Sequence, residues 1–327
     1  MSSLSAETAT IDMLGSADTG DSTPGAAAAR PWARQSIITD PGRHAPLFDA
    51  LPVDVGPLCN DVAGLVSHYV ASRIPFSPER LAEVDTRWVE DIVSAIVDRD
   101  PAPLTESREP AERFVGCCRD FTVLAVAALR HHGIPARSRV GFANYFGDGF
   151  WYDHVVVEHF VADEVRWVRA DAQVPATWRG LDMRDLDRLD PGSLGPGGTE
   201  RFRSASEVWL DYRAGRIDED EILGFGASPT MPFAGPYFVR NYVLLELAHL
   251  AGVETLLWDS WGAMINRPWR RGDDHSLVDG VAEVLVDRVV SMDSLLEQLA
   301  DPDLDPRRGV VTVSPSGMSR IPTSLDR

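Results

Sequence analysis

Residues Phe114 to Arg137 read FVGCCRDFTVLAVAALRHHGIPAR. Two adjacent cysteines open a run that is apolar on nearly every side, with Phe121, Leu124, Ala125 and Ala128 at helical spacing. Gly133 and then Pro135 stop it, as a left-handed cap followed by a helix breaker would. The stretch predicts a buried central helix that starts at Cys117 and Cys118. A thiol in the first turn of a helix meets the positive end of the macrodipole, which favours thiolate. Buried cysteines ordinarily behave as small hydrophobes, so position alone does not make a nucleophile. The decision rests on what lies nearby.

Downstream, ARSRVGFANYF, DHVVVEHF and VRWVRAD are short, rich in β-branched and aromatic residues, and separated by turn residues. They read as antiparallel strands packed on the helix. A hairpin centred between Ala162 and Asp163 sets His154 opposite Asp171, at the separation where a carboxylate holds an imidazole N–H. A cysteine nucleophile needs such a histidine and a third group orienting it. Cys118, His154 and Asp171 are therefore the candidate catalytic residues. Glu158 shares the His154 face and is read as a substrate contact or a structural partner of Arg137 or Arg169. His159 alternates away from His154, and His131 and His132 fall at the negative end of the helix.

Composition removes other chemistries. The 327 residues are 44% hydrophobic and 25% charged, enough for a large core. Against 50 acidic residues stand 31 basic ones, a formal charge of -19 that repels nucleic acid and anionic membranes. All the basic residues are Arg; the absence of Lys excludes Schiff-base and P-loop chemistry. Cys59, Cys117 and Cys118 are too few and wrongly spaced for a disulfide scaffold or a four-ligand zinc site. A vicinal disulfide between Cys117 and Cys118 would be strained and suits an oxidising compartment. No secretory pattern and no membrane-length apolar run is present, so a cytoplasmic location is expected, without cofactor or metal.

Residues 1–35, rich in Ser, Thr, Ala, Gly and Asp, are expected to form a disordered arm, and residues 305–327 a flexible tail. The ordered domain then spans 36–304, with its core at about 110–175. Before that core, residues 60–74 and 77–99 carry helical spacing, the second opened by Ser77 and Pro78. Residues 173–200 read as a surface excursion. Beyond them three helical patterns follow, and WDSWGAM, Trp258 to Met264, is considered as a partner surface.

Taken together, GCCRDF…LRHHGIPAR, DHVVVEHF and RWVRADAQV resemble the transglutaminase-like superfamily over Gly116 to Val174, and the later stretches look like a bacterial subgroup of it. The resemblance implies an α+β fold: a papain-like core with a central helix packed on an antiparallel sheet, flanked by helical segments. It also implies Cys118 as nucleophile, His154 as base and Asp171 as orienting group, with Cys117 at the variable position before the nucleophile. The expected activity is acyl transfer or hydrolysis on a peptide or amide-bearing small molecule. A non-catalytic binding module retaining the fold is the alternative. A calcium loop of the D-x-D-x-D-G type is not evident, and the second oxyanion donor is not identified.

Overall fold

The computed structural model of the chain describes residues 24–325 apart from 148, 176, 179–180, 189–201, 271 and 318–319. The part of the expected arm before Pro24 lies outside the described residues. From Pro24 onward the arm expectation fails: Pro24–Ala29 is a helix, α1, and Trp32 beyond it is buried, its Nε1 donating to Leu250 O at 2.8 Å. One large aromatic ring anchors a segment whose composition otherwise resembles a linker.

Helices α2 (Ala45–Phe48) and α3 (Val55–Ala63) follow, and strand β1 (Val66–His68) comes next. The helix expected over 60–74 thus ends at Gly64, whose amide turns back onto Asn60 O and Asp61 O. The helix expected over 77–99 is split into α4 (Pro78–Leu81), a short 3-10 turn and α5 (Val89–Arg99). Ser77 caps α4 as expected, its Oγ accepting from Arg80 N at 3.4 Å.

Strand β2 (Phe114–Gly116) pairs in parallel with β1 and feeds directly into α6 (Cys118–His131). Every residue of α6 from Cys118 to Arg130 is buried. The exit agrees with the sequence reading: Gly133 has φ +76 and Ile134 N reaches Leu129 O at 2.9 Å. His131 bonds Asp49 Oδ1 at 2.7 Å and His132 bonds Leu51 O at 3.0 Å, so both tie the end of α6 to the α2 region.

The main sheet has the order β5-β4-β3-β8, built from β3 (Ala136–Ala143), β4 (Trp151–Val161), β5 (Arg166–Ala170) and β8 (Phe202–Ser204), with a fifth short strand at Phe225–Gly226 pairing in parallel with β4. Between β5 and β8 a two-residue pair, β6 (Thr177–Trp178) and β7 (Leu181–Asp182), forms a small ladder. Val174, Met183 and Leu186 in this region are buried against Tyr145, Val156 and Phe202. The described part of the expected excursion is therefore a cover over the sheet, because its apolar residues have a face to bury. Residues 189–200 lie outside the described residues.

Helix α7 (Ala205–Arg213), strand β9 (Phe225–Gly226) and helix α8 (Pro236–Leu250) come next, with α8 packed on β3. Strand β10 (Asp259–Ser260), α9 (Gly262–Asn266), α10 (Ser276–Leu285) and α11 (Met292–Gln298) follow. The WDSWGAM stretch is interior: Trp261 is buried with Nε1 on Leu304 O, and Asp259 forms an ion pair with Arg87. The expected tail is likewise structured where described. Strands β11 (Val310–Val313) and β12 (Arg320–Thr323) add to β10, and Thr312 Oγ1 accepts from Arg87 Nη2 at 2.8 Å. The β-branched run VVTV supplies the strand propensity that a reading for flexible composition passes over.

The architecture is α+β, a central helix on a curled antiparallel sheet between helical additions, as expected from the sequence. One apolar cluster lies around α3, α5 and α6, a second joins the sheet to α7, α8 and α10, and a third lies under the 171–186 cover.

Candidate active site

The start of α6 is built by the residues around the thiols. Asp120 folds back so that its Oδ2 accepts from Cys117 N at 2.8 Å, the reciprocal contact of a helix cap. A Cβ on residue 116 would sit 2.6 Å from that same oxygen, so only Gly at 116 leaves room for the cap. Arg119, fully buried, donates to Glu254 O at 2.7 and 3.2 Å, to Arg87 O at 2.5 Å and to Asp120 Oδ1 at 2.9 Å. The Gly, Arg and Asp of GCCRD thus fix the backbone that presents Cys118.

Strands β4 and β5 present the other two residues. Their register is Val157↔Ala170 through Val161↔Arg166, closed by a four-residue turn, Ala162–Val165, in which Val165 has φ +50. The expected centre between Ala162 and Asp163 placed the register two residues off. Such a shift preserves which face each side chain takes. Asp171 consequently lies just past the end of β5, and it still meets the histidine: His154 Nε2 to Asp171 Oδ2 is 2.8 Å. Tyr145 donates its hydroxyl to the same oxygen at 2.5 Å, and Gln173 N donates to Oδ1 at 2.8 Å. Tyr145 lies in the loop after β3, and no spacing in the sequence singles it out.

All three expected residues come together and all are buried, Cys118 at 4% exposure, His154 at 1% and Asp171 at 0%. His154 Nε2 is held by Asp171, so Nδ1 is the nitrogen left for the thiol, and His154 and Cys118 lie close enough to shift each other's ionisation. Burial alone would lower the His154 pKa. The Asp171 charge and bond, with a smaller contribution from Cys118, outweigh it and lift His154 to about 10. Asp171 is held below the usual carboxylate range: burial opposes this, and the His154 charge and the bonds from His154, Tyr145 and Gln173 prevail.

The thiols diverge. Cys118 is lowered from 9.0 to about 7, first by a hydrogen bond with Cys117, against burial, and then by the bond and charge of His154. Cys117 is pushed well above its ordinary value by that same bond to Cys118, by burial and by the Asp120 charge. The direction follows from the geometry, since only Cys118 has the imidazole. Cys117 therefore keeps its proton while Cys118 is drawn toward thiolate. Cys59 is buried elsewhere, and burial raises its thiol pKa.

Glu158 does not reach the site. Its carboxylate binds Arg137 Nε at 2.7 Å and Arg139 Nε at 3.0 Å, and Arg139 also binds Glu246 at 2.7 Å. Among the described residues no group of three or more His, Cys, Asp and Glu is arranged for a metal ion, and no helix is long and apolar enough to cross a membrane.

Residues 78–172 match the family model described as the transglutaminase-like superfamily, a stretch from α4 to just past β5 that contains Cys118, His154 and Asp171. No curated protein matches the chain. Among solved structures, a crystal structure from Cytophaga hutchinsonii, described as a "putative cysteine protease", is 18% identical over 47% of this chain, with a TM-score of 0.29. The chain spans 45% of the length of that protein.

Proposed function

We propose that the chain is a cysteine-dependent acyl-transfer enzyme that cleaves amide bonds, with a peptide or an amide-bearing small molecule as substrate. The observation that carries this reading is the meeting of three buried side chains, with Asp171 bonded to His154 and His154 acting on the ionisation of Cys118. The match of residues 78–172 to the transglutaminase-like superfamily supports a cysteine-dependent enzyme in general.

In the proposed reaction Cys118 Sγ, held as thiolate beside the His154 imidazolium, bonds to the acyl carbon. The carbonyl electron pair moves to oxygen and is met by the Cys118 N–H at the start of α6. Collapse breaks the C–N bond, and His154 passes its proton to the leaving amine, leaving a thioester. Water then attacks with His154 as base, releasing the acid and the thiol. Asp171 keeps the imidazole oriented and supports its positive charge throughout. Hydrolysis is placed ahead of amine transfer because water needs no site of its own, whereas an amine acceptor must be bound.

A peptide library incubated with the protein, with and without a labelled primary amine, tests this. Cleavage that is lost in Cys118→Ala is the expected result. Amine incorporation outpacing cleavage would reverse the order of the two reactions. No turnover in either arm would favour the binding-module alternative.

A further inference from the structure

The Cys118 N–H fills one half of the oxyanion site, and the parallel pairing of β1 with β2 brings a candidate to the other. His68 pairs with Gly116 as the last rung, and Tyr69 N donates to Gly116 O at 2.9 Å, two residues before Cys118. The Tyr69 ring is braced on two sides. It stacks on His68 at 5.2 Å and 13°, and takes the edge of Trp258 at 6.2 Å. It also packs on the cluster that contains Cys117 and Cys118. His68 is itself fixed, its Nδ1 accepting from Val70 N and Ala71 N at 3.2 Å.

The hydroxyl of Tyr69 lies within electrostatic reach of Cys117, Asp153 and Cys118. Burial and then these groups raise its pKa, so the phenol keeps its proton and stays a donor at any working pH. Asp153, which faces the same region, accepts a hydrogen bond from Tyr242. Among the described residues the Tyr69 hydroxyl has no hydrogen-bond acceptor.

We propose that Tyr69 is the second oxyanion donor, its O–H pointing with the Cys118 N–H at the oxygen that becomes negative when Cys118 Sγ bonds the acyl carbon; this rests on the reading of Cys118 as nucleophile. The phenol keeps its proton through the step. The oxygen gains the carbonyl electron pair, accepts both hydrogen bonds, and returns the pair when the leaving group departs. A neutral donor fixed beside the nucleophile costs no reorganisation as the charge develops.

Two reactions of the same thiol separate this role from others. Acylation of Cys118 by p-nitrophenyl acetate passes through an oxyanion, and alkylation by iodoacetamide does not. Tyr69→Phe keeps the ring and its packing, and the leading influences on the Cys118 ionisation are Cys117, burial, His154 and Asp153. The variant should acylate about 100-fold more slowly, the scale of losing one oxyanion donor, while its alkylation rate and pH profile stay within twofold of wild type. Equal loss in both reactions would reassign Tyr69 to structure, and equal acylation of variant and wild type would remove the assignment while leaving the nucleophile in place. A wild type that alkylates but never acylates at Cys118 would remove the nucleophile reading and the Tyr69 role with it.

Discussion

Replacing Cys117 with alanine should move the ionisation of its neighbour. Cys117 is 3% exposed, and its hydrogen bond is the largest influence drawing Cys118 from 9.0 down to about 7. At pH 7 a thiol at 7 is half ionised, whereas one at 9.0 is about 1% ionised, so the full displacement is worth a factor of about 50 in thiolate. His154 supplies part of it and remains in the variant, so the midpoint should rise by roughly one unit rather than two. A more basic thiolate is also intrinsically more nucleophilic, by about threefold per unit, so the rate at pH 7 falls by only about twofold. The midpoint is therefore the quantity to read. Iodoacetamide labelling of Cys118, followed by peptide mass spectrometry from pH 5 to 10, gives it directly, and wild-type Cys118 should label well before Cys117. Cys117→Ser, which keeps a donor, should stay closer to the wild-type midpoint than Cys117→Ala. An alanine variant that still titrates near 7, or serine and alanine variants shifted equally, would refute the thiol-to-thiol bond as the cause.

Asp171→Asn removes the charge that holds His154 protonated, so the imidazole midpoint seen by NMR should drop from about 10 toward or below its ordinary 6.5; an unchanged midpoint would mean that Asp171 does not act on the ring. Glu158→Gln breaks a buried pairing with two arginines and should cost about 3–5 kcal/mol in urea unfolding. Burial opposes ionisation of Glu158, but Arg139 and Arg137 bring it down from 4.5 to about 2. Its stabilisation is thus full above pH 4.5 and lost as pH falls toward 2, so the gap between variant and wild type should narrow over that range, and a gap independent of pH would contradict the ion-pair explanation. Trp32→Ala should destabilise by about 3–5 kcal/mol, the cost of emptying a large buried site; an effect below about 1 kcal/mol would return this segment to the status of a loose arm.

What was legible in the sequence is what local chemistry dictates. Gly116 and Asp120 form a self-contained cap, and Gly133 a self-contained exit, so α6 and the placement of Cys118 could be read without tertiary information. The alternation along β4 and β5 likewise put His154 and Asp171 on one face. Their register was not legible, because it depends on a turn that holds Val165 at φ +50, a conformation a β-branched residue seldom adopts. Segments with mixed signals misled for a similar reason. Val66, Ser67 and His68 sit in a run with helical spacing, yet they form a strand because Gly64 ends the helix and β2 offers a partner. The supporting contacts of the site were also hidden. Tyr145 on Asp171 and Cys117 on Cys118 depend on how loops and neighbouring thiols meet in three dimensions.

The most direct test of the central claim is peptide mass spectrometry of protein quenched early in its reaction with an activated acyl donor. The expected result is an acyl adduct on Cys118 that hydroxylamine removes, that is absent in Cys118→Ala, and that forms far more slowly in His154→Ala. An adduct confined to Cys117 or Cys59, or one on Cys118 that forms at the wild-type rate without His154, would contradict it.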